Sequence, residues 1–222
     1  MIIGVCGFIG TGKDTIADYL VNIHQFRRES FANTLKDACA AVFQWDRELL
    51  EGRTKQSRAW REQRDEWWSE RLGREITPRW VLQYWGTEVF RQGFHDDIWI
   101  ASLENKRRKT TDDVVISDCR FPNEIRAIKQ AGGRVIRVVR GPDPEWYDLA
   151  QAVNAGPKHI QWSTSKTQLA KYNIHASETA WVGTEFDAVI DNNASLDHLY
   201  RQVNDLVLNL PGATEDPALV SQ

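Results

Sequence analysis

Short apolar runs and helical repeats alternate along the chain. Apolar runs of strand length cover residues 2–6, 114–118, 135–139 and 188–190, and a weaker one covers 28–31. Helical spacing of apolar residues follows the first run, and residues 123–130 form a second helical segment that a glycine pair ends. Ser195 is placed to cap a third helix, whose apolar stripe is Leu196, Leu199, Val203 and Leu206. Strands that alternate with helices predict an α/β fold with a central parallel sheet covered on both faces.

Two segments interrupt this alternation. Residues 45–76 are highly charged and carry Trp45, Trp60, Trp67 and Trp68, while residues 141–178 contain prolines and polar runs. The last residues, 211–222, are rich in Pro, Gly and acidic side chains, so we expect them to be disordered. A length of 222 residues favours one larger domain over two small ones.

Charge and cysteine usage exclude several classes of protein. Lys and Arg number 28 and Asp and Glu number 31, a net charge of −3, so we expect no nucleic-acid partner. The three cysteines form no CxxC pair, which argues against a disulfide framework or a zinc module. The first residues carry no basic segment, and no apolar run approaches the ~18 residues of a membrane span. We therefore expect a cytoplasmic protein that makes no membrane contact.

A glycine-rich turn links the first strand to the first helix. It has the form Gly7-x-x-x-x-Gly12-Lys13, which fits the first seven positions of the phosphate-binding loop, or P-loop. Glycines let successive backbone N–H groups point into one concavity, and the following helix adds its positive end. A glycine-rich surface turn is the alternative, but the strand–loop–helix context disfavours it. We predict that this turn holds the phosphates of ATP through Gly10, Thr11, Gly12, Lys13 and Thr15.

Two carboxylates are candidates for a magnesium site. The P-loop pattern has Ser or Thr after the lysine, whereas this chain has Asp14 followed by Thr15. A carboxylate binds Mg²⁺ directly or through water, and both remain open here. Asp118 ends a strand, where the second acid of a P-loop enzyme sits. The structural alternatives are a first-turn acid that favours the helix dipole and a cap for the next turn.

Several cations are candidates for binding phosphate. Arg79 follows Thr77-Pro78, which predicts a helix start, and Val81, Leu82, Trp85 and Val89 give that helix a buried stripe. The guanidinium fork suits phosphate, but a surface ion pair without function is the alternative for each candidate. The candidates are Lys36, Arg79, Arg91, Arg120 and Arg140.

Several motifs together resemble the bacteriophage-type deoxynucleoside monophosphate kinases. The most specific are Gly12-Lys13-Asp14-Thr15 and the segment DCRFPNE at 118–124. The stretches FANTLKD at 31–37, LQYWGTEVFR at 82–91, HASE at 175–178 and VIDNNASL at 189–196 support them. The resemblance extends from residue 2 to about 207, which is nearly the whole chain.

The resemblance implies a fold, a reaction and a site. The fold is a three-layer P-loop NTPase domain over 1–210, with a core (1–31, 113–140 and 184–210), a helical acceptor-binding insertion (32–112) and a lid (141–180). The reaction transfers phosphate from ATP, with Mg²⁺, to a deoxynucleoside monophosphate. The implied catalytic residues are Lys13, Arg79, Arg120 and Asp118, and the implied metal ligands are Asp14 and Asp118. ATP binding is implied for Gly10, Thr11, Gly12, Lys13, Asp14, Thr15 and Arg140. Acceptor binding is implied for Leu35, Lys36, Arg79, Arg91 and Arg120. It also suggests a homodimer and, if the protein is phage-encoded, a place in the host cytoplasm.

Tryptophan is unusually frequent, with ten residues, and none lies in the predicted strands or the last helix. Seven lie between residues 45 and 99, and three lie in or just after the segment 141–180. They therefore belong to the two insertions, and most of these rings are expected to pack helices that lack a large core. One or two are candidates for stacking on a base, because a flat aromatic face suits it. Trp99 is our first choice for that role.

The sequence leaves the phosphate acceptor open. Kinases of phosphomevalonate share the Gly-Lys-Asp variant, so a kinase of another phosphorylated small molecule is one alternative. A polynucleotide 5′-kinase is disfavoured by the balanced charge of residues 45–76. A non-catalytic ATP-binding switch is another, although the two long insertions predict a second ligand pocket. The sequence does not indicate which base is accepted. It also does not indicate which lid residue would contact the transferred phosphoryl group, a role that arginines take in many nucleotide kinases, because residues 141–178 contain no arginine.

Overall fold

The computed structural model describes residues 1–209, so the tail predicted at 211–222 lies outside the described residues. The chain divides into two compact units. The first comprises Met1–Glu29 and the described residues from Asp112 on, up to residue 209, and the second comprises Ser30–Thr111.

The first unit is built on a five-stranded parallel sheet. Its strands are β1 (Ile2–Cys6), β2 (Arg27–Glu29), β3 (Val114–Ile116), β4 (Arg134–Val139) and β5 (Ala188–Asp191), and they lie in the order β2-β3-β1-β4-β5. Every residue of β1 is buried, which fits a central strand covered on both faces. Ile3 is paired with Val115 on one side and with Arg134 on the other, so the carboxyl ends of β3, β1 and β4 meet at one edge.

Helices cover both faces of this sheet. Helix α1 (Lys13–His24) and the last helix (Leu196–Leu208) pack together, and their apolar stripes form one buried cluster with the inward side chains of β1, β3 and β4. The helix Pro122–Gln130 lies against β1 and β4, where Ile128 approaches Gly4 so closely that a Cβ there would lie 2.7 Å from it. A glycine turn thus links the central strand to the first helix of a parallel three-layer α/β unit. This is the predicted P-loop NTPase architecture.

The segment between β4 and β5 is helical. It contains Tyr147–Asn154, Trp162–Leu169, a short 3₁₀ turn and Ala176–Thr179. In order along the chain, the α-helices within residues 1–209 are α1 (Lys13–His24), α2 (Asn33–Phe43), α3 (Arg47–Glu51), α4 (Lys55–Arg61), α5 (Glu66–Leu72), α6 (Pro78–Tyr84), α7 (Ile98–Arg107), α8 (Pro122–Gln130), α9 (Tyr147–Asn154), α10 (Trp162–Leu169), α11 (Ala176–Thr179) and α12 (Leu196–Leu208).

The second unit consists of helices α2 to α7. Thr77 caps α6 by accepting a hydrogen bond from the N–H of Trp80, and Pro78 occupies the first helical position, as the sequence predicts. The helix then changes to a π-helix over Trp85–Gln92. The expected apolar stripe ends there, because the wider turn rotates later side chains and leaves Val89 38% exposed.

Aromatic rings fill the centre of the second unit. Phe43 stacks on Trp45 at 4.3 Å and contacts Trp68 and Trp85. The indole N–H of Trp45 donates to Asp65, and that of Trp68 donates to the carbonyl of Phe43. Packing therefore accounts for these tryptophans, because several short helices without a sheet need large rings to fill their interior.

Candidate active site

The P-loop begins where β1 ends and requires glycine at two positions. Gly7 has a φ of +147°, and a Cβ on it would lie 2.6 Å from the carbonyl oxygen of Val138. Gly12 has a φ of +103°, and its Cβ would lie 2.3 Å from Nδ2 of Asn192. The same Asn192 amide donates to the carbonyl of Thr11 at 2.8 Å, so the loop after β5 supports the P-loop directly.

Helix α1 starts at this loop without a side-chain cap. Gly12 precedes its first residue and has no side chain to accept from the first N–H groups. These groups, together with the positive end of a helix of 12 residues, form the donor set that phosphate oxygens require. The residues present therefore fit the phosphates of ATP.

Lys13 is folded back over the P-loop. Its Nζ donates to the carbonyls of Gly7 at 2.8 Å and Phe8 at 2.7 Å. Burial, followed by repulsion from Arg120, lowers the pKa of Lys13 from 10.5 to about 8, although Cys6, Glu178 and Asp14 act in the opposite direction. The ammonium is thus desolvated and close to the predicted phosphate site.

The carboxyl end of β3 lies beside that of β1. The thiol of Cys6 donates to the carbonyl of Cys119 at 3.2 Å, and Asp118 lies immediately before Cys119, half-buried. Glu124 receives the backbone N–H of Arg120 at 2.8 Å and that of Phe121 at 3.0 Å, which fixes the turn into α8. The turn therefore brings Asp118 and Arg120 to the same edge of the sheet as the P-loop.

Arg120 is bound to the segment between β4 and β5. Its Nη1 makes an ion pair with Glu178, which lies on α11, and approaches the carbonyl of Ser177 at 3.5 Å. His175 caps α11 by accepting a hydrogen bond from the N–H of Ser177. Glu178 thus links this segment to the turn after β3.

An aromatic cluster also connects the P-loop to this segment. Phe8 lies 4.6 Å from Trp181, 5.3 Å from Trp146 and 6.1 Å from Tyr147 between ring centroids. The guanidinium of Arg137 lies over Tyr147 and donates to its hydroxyl at 2.8 Å. Phe8 is one of the variable positions of the P-loop pattern, and the sequence gives no sign that it packs there.

Asp14, the acid in place of the P-loop hydroxyl, forms an ion pair with Arg28 of β2. No sequence motif pointed to Arg28 as a partner of Asp14. The available signal was the pair Asp14 and Asp18, which share one face of α1 at a spacing that suits a single cation. Arg140, a predicted ATP contact, is exposed just after β4.

The predicted acceptor residues all lie in the second unit except Arg120. Lys36 Nζ lies 2.8 Å from Glu51, with both side chains largely buried. Burial opposes ionisation of Glu51, but hydrogen bonds and charges from Lys36 and Arg47 lower its pKa to about 2. The structure therefore places Lys36 in a buried ion network, and its predicted acceptor contact stays a prediction.

The other acceptor candidates differ in exposure. The Arg91 side chain is 2% exposed and donates to the carbonyl and carboxylate of Asp96. Trp99 is buried and donates to the carbonyl of Gly86 at 2.9 Å. Leu35 is also buried, whereas the Arg79 side chain is 29% exposed, 3.9 Å from Glu62.

Within residues 1–209, no group of three or more His, Cys, Asp or Glu side chains is arranged to hold a metal ion by itself. Mg²⁺ in phosphate-transfer sites needs only one or two carboxylates, because substrate phosphates and water supply the other ligands. Asp14 and Asp118 fit that reduced requirement in number and chemical type. In the same part of the chain, no helix combines the length and apolarity needed to cross a bilayer.

Comparisons with solved structures give kinases of low similarity. A shikimate kinase from Aquifex aeolicus is 11% identical at a TM-score of 0.43, covering 92% of this chain and 94% of its own. A dephospho-CoA kinase from Campylobacter jejuni is 14% identical at a TM-score of 0.37, covering 96% and 98%.

Curated sequences give a stronger relation. No protein-family model matches the chain. The deoxynucleoside-5′-monophosphate kinase of Escherichia phage T5 is 46% identical over 56 residues, which cover 25% of this chain and 22% of the phage protein. A mimivirus protein named "Putative deoxynucleotide monophosphate kinase" is 30% identical over 224 residues, covering 94% of this chain and 97% of its own. With a relative that matches over nearly the full length of both chains, and with the P-loop in place, this chain belongs to the deoxynucleotide monophosphate kinase family.

Proposed function

We propose that the protein transfers the γ-phosphoryl group of ATP to a deoxynucleoside monophosphate, forming ADP and the deoxynucleoside diphosphate. The observation that carries the proposal is the P-loop, whose Lys13 ammonium is desolvated at the start of α1, in a chain of this family.

The attacking group is an oxygen of the acceptor's own phosphate. The second pKa of a phosphate monoester is about 6, so this oxygen is already ionised at neutral pH and needs no general base. A bond forms between that oxygen and the γ-phosphorus, and the bond from the γ-phosphorus to the β–γ bridging oxygen breaks. The task of the protein is therefore to bring two anions together in line and to neutralise their charge.

The described residues of the first unit suit that task. When ATP binds, Lys13 donates to β- and γ-phosphate oxygens in place of the carbonyls of Gly7 and Phe8. The N–H groups at the start of α1 bind other phosphate oxygens. Arg120 lies close enough to lower the pKa of Lys13, so it faces the same region. Mg²⁺, when bound with ATP, neutralises phosphate charge, and we propose Asp118 and Asp14 as the carboxylates that orient it, directly or through water.

The second unit, as the insertion at 32–112, is the proposed acceptor site. Arg79 is its best candidate for the acceptor phosphate, because its side chain is more exposed than that of Arg91 and its ion pair with Glu62 is long. Closure of the segment 141–180 would exclude water, which otherwise diverts the phosphoryl group to hydrolysis. The proposal also includes a cytoplasmic location, in the host cell if the protein is phage-encoded, and a homodimer. Light scattering of the purified protein tests its oligomeric state.

Purified protein incubated with MgATP and each of the common deoxynucleoside monophosphates in turn tests the reaction. We expect ADP and the matching diphosphate in equal amounts with at least one acceptor. Lys13→Met keeps the length of the side chain but removes its charge, so we expect a loss of roughly a hundredfold or more in turnover. Diphosphate formation at the wild-type rate in that variant would refute the P-loop assignment.

The same assay separates the alternatives. If phosphomevalonate is phosphorylated and no deoxynucleoside monophosphate is, the protein catalyses a different kinase reaction. ATP binding without acceptor-dependent ADP release would favour a switch. Either result would overturn the proposed acceptor.

A further inference from the structure

Arg28 joins three elements next to the P-loop. Its guanidinium donates to Asp14 at the start of α1, to Asp18 one turn later at 2.6 Å, and to the hydroxyl of Ser117 at 3.1 Å. Ser117 follows β3, and Asp118 comes next along the chain. The Arg28 side chain is only 16% exposed, although the two carboxylates it binds are 68% and 64% exposed. A single cation thus connects one candidate magnesium carboxylate, Asp14, to Ser117, the residue next to the other candidate at the edge of the sheet.

This contact addresses a problem that the sequence creates. A carboxylate at the position of the usual P-loop hydroxyl brings a negative charge next to the phosphates of ATP, and like charges at such a distance repel. Arg28 supplies the opposite charge on the side of Asp14 that faces β2. The planar fork binds Asp14 through Nη2 and Asp18 through Nη1 at once, which a single-point ammonium does less well.

We propose that Arg28 is a positioning residue for MgATP: it neutralises and orients Asp14, so that a P-loop with aspartate after its lysine accepts the nucleotide. The inference rests on the proposed function for its ligand. It adds Arg28, a residue of β2 that lies outside the P-loop, to the residues that support ATP binding.

A purely structural role is the competing explanation, since Arg28 also ties α1 to the sheet through Asp18. The two roles make different predictions for a double-mutant cycle between Arg28→Gln and Asp14→Ser. If Arg28 acts through the charge of Asp14, its removal matters only while that charge is present. If it acts as a clamp, its removal costs the same in both backgrounds.

Calorimetric titration with MgATP, without any acceptor, measures the effect on binding alone. We expect Arg28→Gln to raise the Kd roughly tenfold, since the exposed carboxylate is partly screened by solvent. We expect the same substitution to change the Kd by less than about twofold in an Asp14→Ser background. Arg28→Lys keeps the charge but loses the fork, so its Kd for MgATP should lie between those of the wild type and Arg28→Gln.

Asp18→Asn is the matched control, because it removes the second ion pair of Arg28 and leaves the one to Asp14. Its Kd should stay within about twofold of the wild type, and urea unfolding of every variant checks the clamp. Three results would each overturn the proposal. Arg28→Gln could lower the affinity for MgATP equally in both Asp14 backgrounds, or leave the Kd unchanged. Asp18→Asn could lower the affinity as much as Arg28→Gln does. A wild-type protein that binds no MgATP would also overturn it.

The proposed function can fail independently of this inference. A wild type that binds MgATP with the expected coupling but phosphorylates no deoxynucleoside monophosphate would refute the function and leave the role of Arg28 standing. Acceptor-dependent turnover without the coupling would do the reverse.

Discussion

Raising the pH should weaken ATP binding because the P-loop lysine titrates at an unusually low pH. Burial and the neighbouring Arg120 lower the pKa of Lys13 to about 8. Phosphate binding needs the ammonium form, so the competent fraction of the protein falls once the pH passes that value. The perturbation is therefore a change of pH alone, with no mutation.

The size of the effect follows from the pKa. At pH 7 nearly all of Lys13 is protonated, whereas at pH 9 only about a tenth is, so the apparent Kd for MgATP should rise roughly tenfold between these values. The Cys6 thiol does not complicate this range, because burial raises its pKa to about 12. The phosphates of ATP are almost fully ionised throughout, since their last pKa is about 6.

Calorimetry at constant ionic strength across pH 7 to 9 is the assay. Repeating the titration at pH 9 in buffers of different ionisation heat should reveal an uptake of close to one proton per nucleotide bound, roughly 0.9. Lys13→Arg is the control, because arginine stays charged and its Kd, even if higher, should not change with pH. A wild-type Kd that stays constant from pH 7 to 9 would refute the depressed pKa.

Three further outcomes follow from the structure. Glu51→Gln should lower the free energy of unfolding by roughly 1–3 kcal/mol at pH 7. Because its folded pKa is about 2 against an ordinary 4.5, urea melts should show that difference vanishing as the pH falls between these values. Gly12→Ala should abolish MgATP binding in calorimetry, since its Cβ meets Asn192, and retained affinity would contradict the loop geometry. A thiol reagent at pH 8 should label none of the buried cysteines, Cys6, Cys39 and Cys119, until denaturant is added. Rapid labelling of the native protein would contradict their burial.

The local patterns of the chain were sufficient for the α/β architecture. The run Ile2–Cys6 is wholly apolar and is followed by glycines and a helical repeat, which fixes a buried strand, a turn and a helix from neighbouring residues alone. Ser195 and Thr77 cap their helices as predicted, because capping depends on a side chain and the N–H groups two or three residues later. The stripe that ended at Val89 was wrong, since a π-helix depends on packing and not on local spacing.

Residue types at the edge of the sheet could also be anticipated, but their partners could not. A lysine after glycines and an acid after a strand indicate phosphate and magnesium chemistry wherever they occur. Whether Lys36 is free to bind an acceptor or pairs with Glu51 depends on how α2 and α3 approach each other, 15 residues apart in sequence. The exposure of that side chain is therefore a property of the fold.

The sequence by itself determined the P-loop, the alternation of strands and helices, and the positions of the polar groups that follow the strands, since each depends on residues close together in the chain. Only the tertiary structure decided that Arg28 lies against Asp14, that Glu178 pairs with Arg120 across 58 residues, and that Phe8 packs on Trp181. These contacts join elements that are distant in sequence, and parallel strand order is what brings them to one edge of the sheet.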